Sequence, residues 1–158
     1  MLNKEPSPER ARLGFKEAVL SSFQFLNDAG LRKTTFVLVH AGAAAFTKPT
    51  NYLLMKPNVY ADFSEQTWLI STRALSQVIR DLLEWYPEKV LFGTDLYPNT
   101  PEINWEEIGW QTTQSARLAL AIALTGMIQD GQITRPRALE LAHMVLHDNA
   151  AKLYGWQK

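Results

Sequence analysis

Thr34-Thr35-Phe36-Val37-Leu38-Val39-His40 is rich in β-branched residues and almost continuously apolar, the pattern of a strand buried on both faces. It ends on a histidine, with Gly42 just beyond. Lys89-Val90-Leu91-Phe92-Gly93-Thr94-Asp95 repeats the design, a short apolar run that closes on an ionisable residue at the edge of a loop. Between them, after Pro57, Asn58-Val59-Tyr60-Ala61-Asp62-Phe63-Ser64 reads as a further extended run. Strand starts about 25 to 30 residues apart are the spacing of βαβ units and a parallel sheet, so the fold class is α/β.

The segments around these strands carry helical periodicity. Leu75, Val78, Ile79, Leu82 and Leu83 share a face and predict a helix over 71–86, closed by Pro87. Residues 43 to 55 predict a helix broken or started near Pro49. Glu9 to Asn27 predicts an amphipathic helix with Gly30 as its stop. A loop with Pro98, Pro101, Glu102, Glu106 and Glu107 leads to an Ala/Leu-rich helix over 113–129, ended by Asp130-Gly131. Thr134 caps a further helix to about His147, with Pro136 in its first turn, and Asn149 caps a last turn, Ala150 to Tyr154, ended by Gly155.

Composition narrows the class. A length of 158 residues suits one domain, with 1–33 as an N-terminal tail and helix ahead of the segment 34–156 that carries the strands. Sixteen basic residues balance sixteen acidic ones, so nucleic acid and anionic membrane are poor partners. The absence of cysteine removes disulfides, thiol nucleophiles and Cys-ligated zinc. Met1 to Gly14 holds no apolar run resembling a signal peptide, and the apolar stretch Leu118 to Leu124 falls short of a membrane span, so a cytoplasmic chain is expected.

Parallel α/β folds place their chemistry where the strands run out, because the loops there vary while the strands stay rigid. His40, Asp62 and Asp95 occupy such ends. An imidazole and a carboxylate at positions 40 and 95, on one rim, suit a divalent metal or a general acid/base pair. Equally, the histidine can be hydrogen-bonded structure and the aspartate a loop cap. Asp62 with Ser64 reads first as an ordinary capping pair. His143 and His147 share a helix face, but no glutamate follows His143 and both lie beyond the last strand, so a solvated or interface-facing position is the expectation. The five tryptophans are dispersed and read as packing residues. Gly42 and Gly93 are isolated, so no phosphate-binding loop is present.

Four stretches together, Phe36 to Gly42, Pro57 to Ser64, Val90 to Pro98 and Asp148 to Gly155, resemble the closing part of an amidohydrolase-related protein. That is the branch of the metal-dependent hydrolase superfamily which includes the aminocarboxymuconate-semialdehyde decarboxylase group. The resemblance covers residues 34–156 and implies the last three strands of a (β/α)8 TIM barrel followed by extra C-terminal helices. It further implies a hydrolase whose metal-activated water attacks a C–N, ester or related bond of a small molecule, with decarboxylation as a variant. By the same resemblance His40 binds a metal or acts on the substrate, Asp95 binds the metal and handles the water proton, and Asn149 is structural. The implied cofactor is a divalent metal, zinc first, with manganese or another ion as alternatives.

The same comparison defines what is missing. No His-x-His pair and no histidine before His40 occur in the chain. A barrel takes eight strands and about 250 residues, and a catalytic zinc about three protein ligands. The expectation is therefore a C-terminal fragment, inactive alone, that pairs with copies of itself or with a complementary barrel-forming chain. The rival is a non-catalytic α/β scaffold or binding module whose strand-end residues only hold loops together.

Overall fold

The computed structural model describes residues 28–42, 47–96 and 104–156. Three strands, β1 (Phe36–Leu38), β2 (Val59–Asp62) and β3 (Val90–Leu91), form one parallel sheet in the order β1-β2-β3. Phe36 faces Val59 and Leu38 faces Ala61 across the first pair, and Asp62 faces Leu91 across the second. The expected parallel α/β sheet is present, and its three strands with their helices are consistent with a partial barrel. The strands are shorter than the apolar runs that announce them. β1 is also not buried on both faces: its three residues are half-buried and Val39 is 56% exposed, because among the described residues only β2 pairs with it.

Helices connect and cover the sheet: α1 (Thr47–Leu54), α2 (Gln66–Leu69), α3 (Thr72–Trp85), α4 (Trp105–Gln129), α5 (Arg135–His143) and α6 (Asn149–Tyr154). The predicted helix over 9–27 lies outside the described residues, while Gly30 falls in a short turn capped by the Asp28 carboxylate at 2.7 Å. α3 matches its periodicity closely. Ser71 caps it by accepting from Ala74 N, and Leu75, Ile79, Leu82 and Leu83 point into the core. α4 buries Ala116, Ala119, Leu120 and Ala123, and it packs against α3 more extensively than any other pair of described elements does.

α4 starts at Trp105, eight residues before the expected Thr113. Asn104 supplies the cap by accepting from Glu107 N at 3.2 Å. Glu106 and Glu107, expected in a loop, instead occupy the first turn, where the helix dipole favours them.

The C-terminal helices also depart from expectation. α5 begins at its Thr134 cap and passes into a π-turn, Met144–Asp148, that runs directly into α6. In that turn Asn149 N donates to the Met144 carbonyl five residues back. Asn149 is therefore helical and not a cap. Its buried amide donates to the Pro87 and Val90 carbonyls, both at 2.8 Å, which ties α6 to the start of β3. Gly155 closes α6 at φ 73°, a conformation glycine adopts without a Cβ penalty.

Candidate functional site

All three strands run the same way, so the segments after Leu38, Asp62 and Leu91 emerge at one end of the sheet. His40 follows β1 by two residues and Asp95 follows β3 by four. β2 lies between them, which separates the two backbones by two strand spacings, about 10 Å. They share a rim but do not sit on adjacent strands, and the residue between them is Asp62.

His40 stands in a left-handed turn, with φ 63° at His40 and 47° at Ala41. Non-glycine residues in this region cost about 1 kcal/mol or more and persist only when the surroundings hold them. Three contacts do so. Asp62 Oδ1 accepts from His40 N at 3.1 Å, the Gln66 amide donates to the His40 carbonyl, and Thr50 Oγ1 donates to the Ala41 carbonyl at 2.7 Å. Gln66 and Thr50 are both buried. The loops after β1 and β2 are thus sewn to one another.

The imidazole is held by the same loop. His40 Nδ1 lies 3.0 Å from Ser64 Oγ and 3.8 Å from Glu65 Oε2. Ser64 in turn bonds to Asp62 Oδ1 twice, through its backbone N at 2.9 Å and through its hydroxyl. Asp62 Oδ1 therefore gathers three donors. Gly93, on the way from β3 to Asp95, passes directly over this pair. Phe92 stacks edge-on against Phe63, ring centroids 6.0 Å apart, which holds the extension of β3 against that of β2. Asp95 is half-buried, has φ 56°, and makes no hydrogen bond among the described residues.

The sequence places His40, Asp62 and Asp95 at strand ends, where Asp62 reads first as a local cap, outside the core of the site. That local role exists, since Asp62 accepts from Ser64 N, but the same oxygen also reaches across to His40. Gln66 and Glu65 were missed altogether. Gln66 carries no period-two or helical signal that marks it, although its Oε1 is buried without a partner among the described residues. His143 and His147 are both exposed, and His147 pairs with its neighbour Asp148 at 2.8 Å.

A metal centre is not complete here. Among the described residues no three His, Asp or Glu side chains are placed to hold one ion. Asp62 Oδ1 is occupied by three donors and His40 Nδ1 faces Ser64, so the ligand pair expected from the sequence offers His40 Nε2 and the Asp95 carboxylate, two groups against the three that a catalytic zinc takes. The donor set of the described residues does not by itself fit the ion.

Comparison with known proteins bears on the same stretch. The family described as Amidohydrolase matches residues 29–156. The chain is 30% identical over 123 residues to Protein fluG of Emericella nidulans, across 75% of this chain and 13% of that protein. It thus spans a small part of the length of the curated relative it matches. No solved structure matches it at a significant level. No helix among the described residues is long and apolar enough to cross a membrane.

Proposed function

The chain belongs to the amidohydrolase family, and from that premise we propose that it forms one side of a hydrolase active site, with His40 and Asp95 as its reacting groups. The observation that carries this reading is the parallel sheet, which brings the segments bearing both residues out at one rim. The substrate is a small molecule with a C–N, ester or related bond, and decarboxylation is the variant chemistry. Asp95 takes the proton of the attacking water, and His40 faces the bond being broken or the group that polarises it. The site of action is the cytoplasm.

The other side of the site comes from further polypeptide. β1 and β3 each pair on one edge only among the described residues, and an unpaired parallel edge invites another strand. A second copy or a complementary barrel-forming chain supplies it, together with the remaining ligands for a divalent ion, zinc or manganese. Alone, the chain turns over neither activated esters nor amides with either ion added. Turnover by the pure monomer that disappears in Asp95→Ala would disprove the dependence on a partner while keeping the residue assignment. A monomer that stays clean and stable in size-exclusion chromatography at all concentrations argues against self-association.

The scaffold reading has one observation in its favour: the hydrogen bonds around His40 hold loops together whether or not any substrate binds. Zinc titration separates the two. Micromolar binding that requires both His40 and Asp95 supports the enzyme reading, whereas no binding even with the complementary chain or a second copy assembled on it, with full stability in His40→Ala and Asp95→Ala, supports the scaffold.

A further inference from the structure

We propose that Ser64, anchored by Asp62, is a positioning residue that fixes the proton of the His40 imidazole on Nδ1 and so presents Nε2 as a bare lone pair. The functional meaning of this rests on the reading of His40 as a site residue; the tautomer does not.

The argument is a count of hydrogens. A carboxylate oxygen only accepts, and Asp62 Oδ1 collects His40 N, Ser64 N and the Ser64 hydroxyl. Serine has a single hydroxyl hydrogen. Since it lies between Ser64 Oγ and Asp62 Oδ1, Ser64 Oγ has only lone pairs left for His40 Nδ1, 3.0 Å away. Nδ1 must then be the donor. Glu65 Oε2, 3.8 Å from the same nitrogen, is another acceptor and pulls in the same direction. In a neutral imidazole one nitrogen carries the hydrogen and the other does not, so Nε2 is unprotonated.

The serine is well placed to enforce this. It is 3% exposed, so water competes poorly for its oxygen. Gly93 packs against its Cβ, and the hydroxyl is held on the Asp62 side. In the resting protein His40 therefore acts first as a base or as a cation ligand through Nε2; it donates a proton from that nitrogen only after taking one up. This orders the roles at the rim, because a group that must first accept cannot be the initial acid.

The test is ¹⁵N NMR of the histidine-labelled chain at about pH 9, where an imidazole of ordinary pKa is neutral. His143→Gln and His147→Gln variants assign the signals. The expected His40 spectrum has a pyrrole-like Nδ1 and a pyridine-like Nε2. In Ser64→Ala the Nδ1–H form falls to a minority and the Nε2–H form, preferred by free imidazole, takes over. A wild-type His40 with the hydrogen on Nε2, or a Ser64→Ala spectrum identical to wild type, overturns the proposal. A wild-type His40 with its hydrogen on Nε2 overturns the proposal even if Ser64→Ala fails to fold, and Glu65→Gln, which should keep the Nδ1–H form, separates the serine from the neighbouring carboxylate. A zinc titration of His40→Gln then keeps the two claims apart: unchanged binding with an Nδ1–H tautomer removes the role of His40 in the site and leaves the positioning by Ser64 standing.

Discussion

A Cβ placed on Gly93 would stand 2.9 Å from the Cβ of Ser64 and 3.5 Å from the Asp62 carboxyl carbon. The extension of β3 therefore touches the loop after β2 at the pair of residues that orients His40. Only a residue without a side chain allows that approach, and the contact links the Asp95 segment to the His40 segment through Asp62 and Ser64.

Gly93→Ala forces either the chain or Ser64 to move. Overpacking of this kind costs about 1–3 kcal/mol. The expected result is a lower urea midpoint together with a changed His40 ring signal. A midpoint equal to wild type would mean that the β3 extension does not press on this loop.

Asn149→Ala leaves the Pro87 and Val90 carbonyls without their donor in a buried place. The loss should be about 1–3 kcal/mol, and Asn149→Asp should cost at least as much because a carboxylate brings no donor. Thermal unfolding of the two variants measures it. Equal stability in the Asp variant would show that packing of the side chain matters and its hydrogen bonds do not.

The strands and most helices could be read from the chain because their signals are local. Apolar runs, helical periodicity and caps such as Thr134 act within a few residues. The start of α4 was misjudged because Pro98, Pro101 and the glutamates look like a loop, whereas Asn104 with Glu106 and Glu107 is a helix start. His40 and Asp95 were legible as ionisable residues at strand ends. The part played by Asp62 was not, since its tie to His40 spans 22 residues and exists only once β1 and β2 lie side by side. Asn149 was misread for the same reason: its partners at 87 and 90 are remote in sequence.

Arg80 on α3 binds Glu84 at 2.8 Å, Asp130 at 2.5 Å and Gln132 at 2.8 Å. The hydrogen bond from Arg80 holds the Glu84 carboxyl below its ordinary value of 4.5. A carboxylate depressed in the folded state stabilises the fold above its unfolded pKa, and that contribution fades as pH falls through the lower folded value. Wild type should therefore lose stability more steeply than Arg80→Gln as the pH drops below 4.5, and high salt should shrink the difference. Parallel urea titrations across that range check it; coincident acid limbs would remove the pair from the acid response.

His143→Gln with His147→Gln should leave zinc binding unchanged and stability within about 0.5 kcal/mol, as expected of exposed side chains. Loss of zinc affinity in this double variant would move the metal question from the sheet rim to the outer helix.

The π-turn at Met144–Asp148 acts as a phase shifter. Ala138 and Leu141 upstream and Val145 within the turn face the core; downstream, Asn149 must look at β3, and the added residue rotates the second half of the helix to bring it there. Each residue of an α-helix turns the chain by about 100°. Removing one residue from this turn would restore regular winding and swing the asparagine away from its two carbonyls, so the segment should tolerate substitutions far better than changes in length.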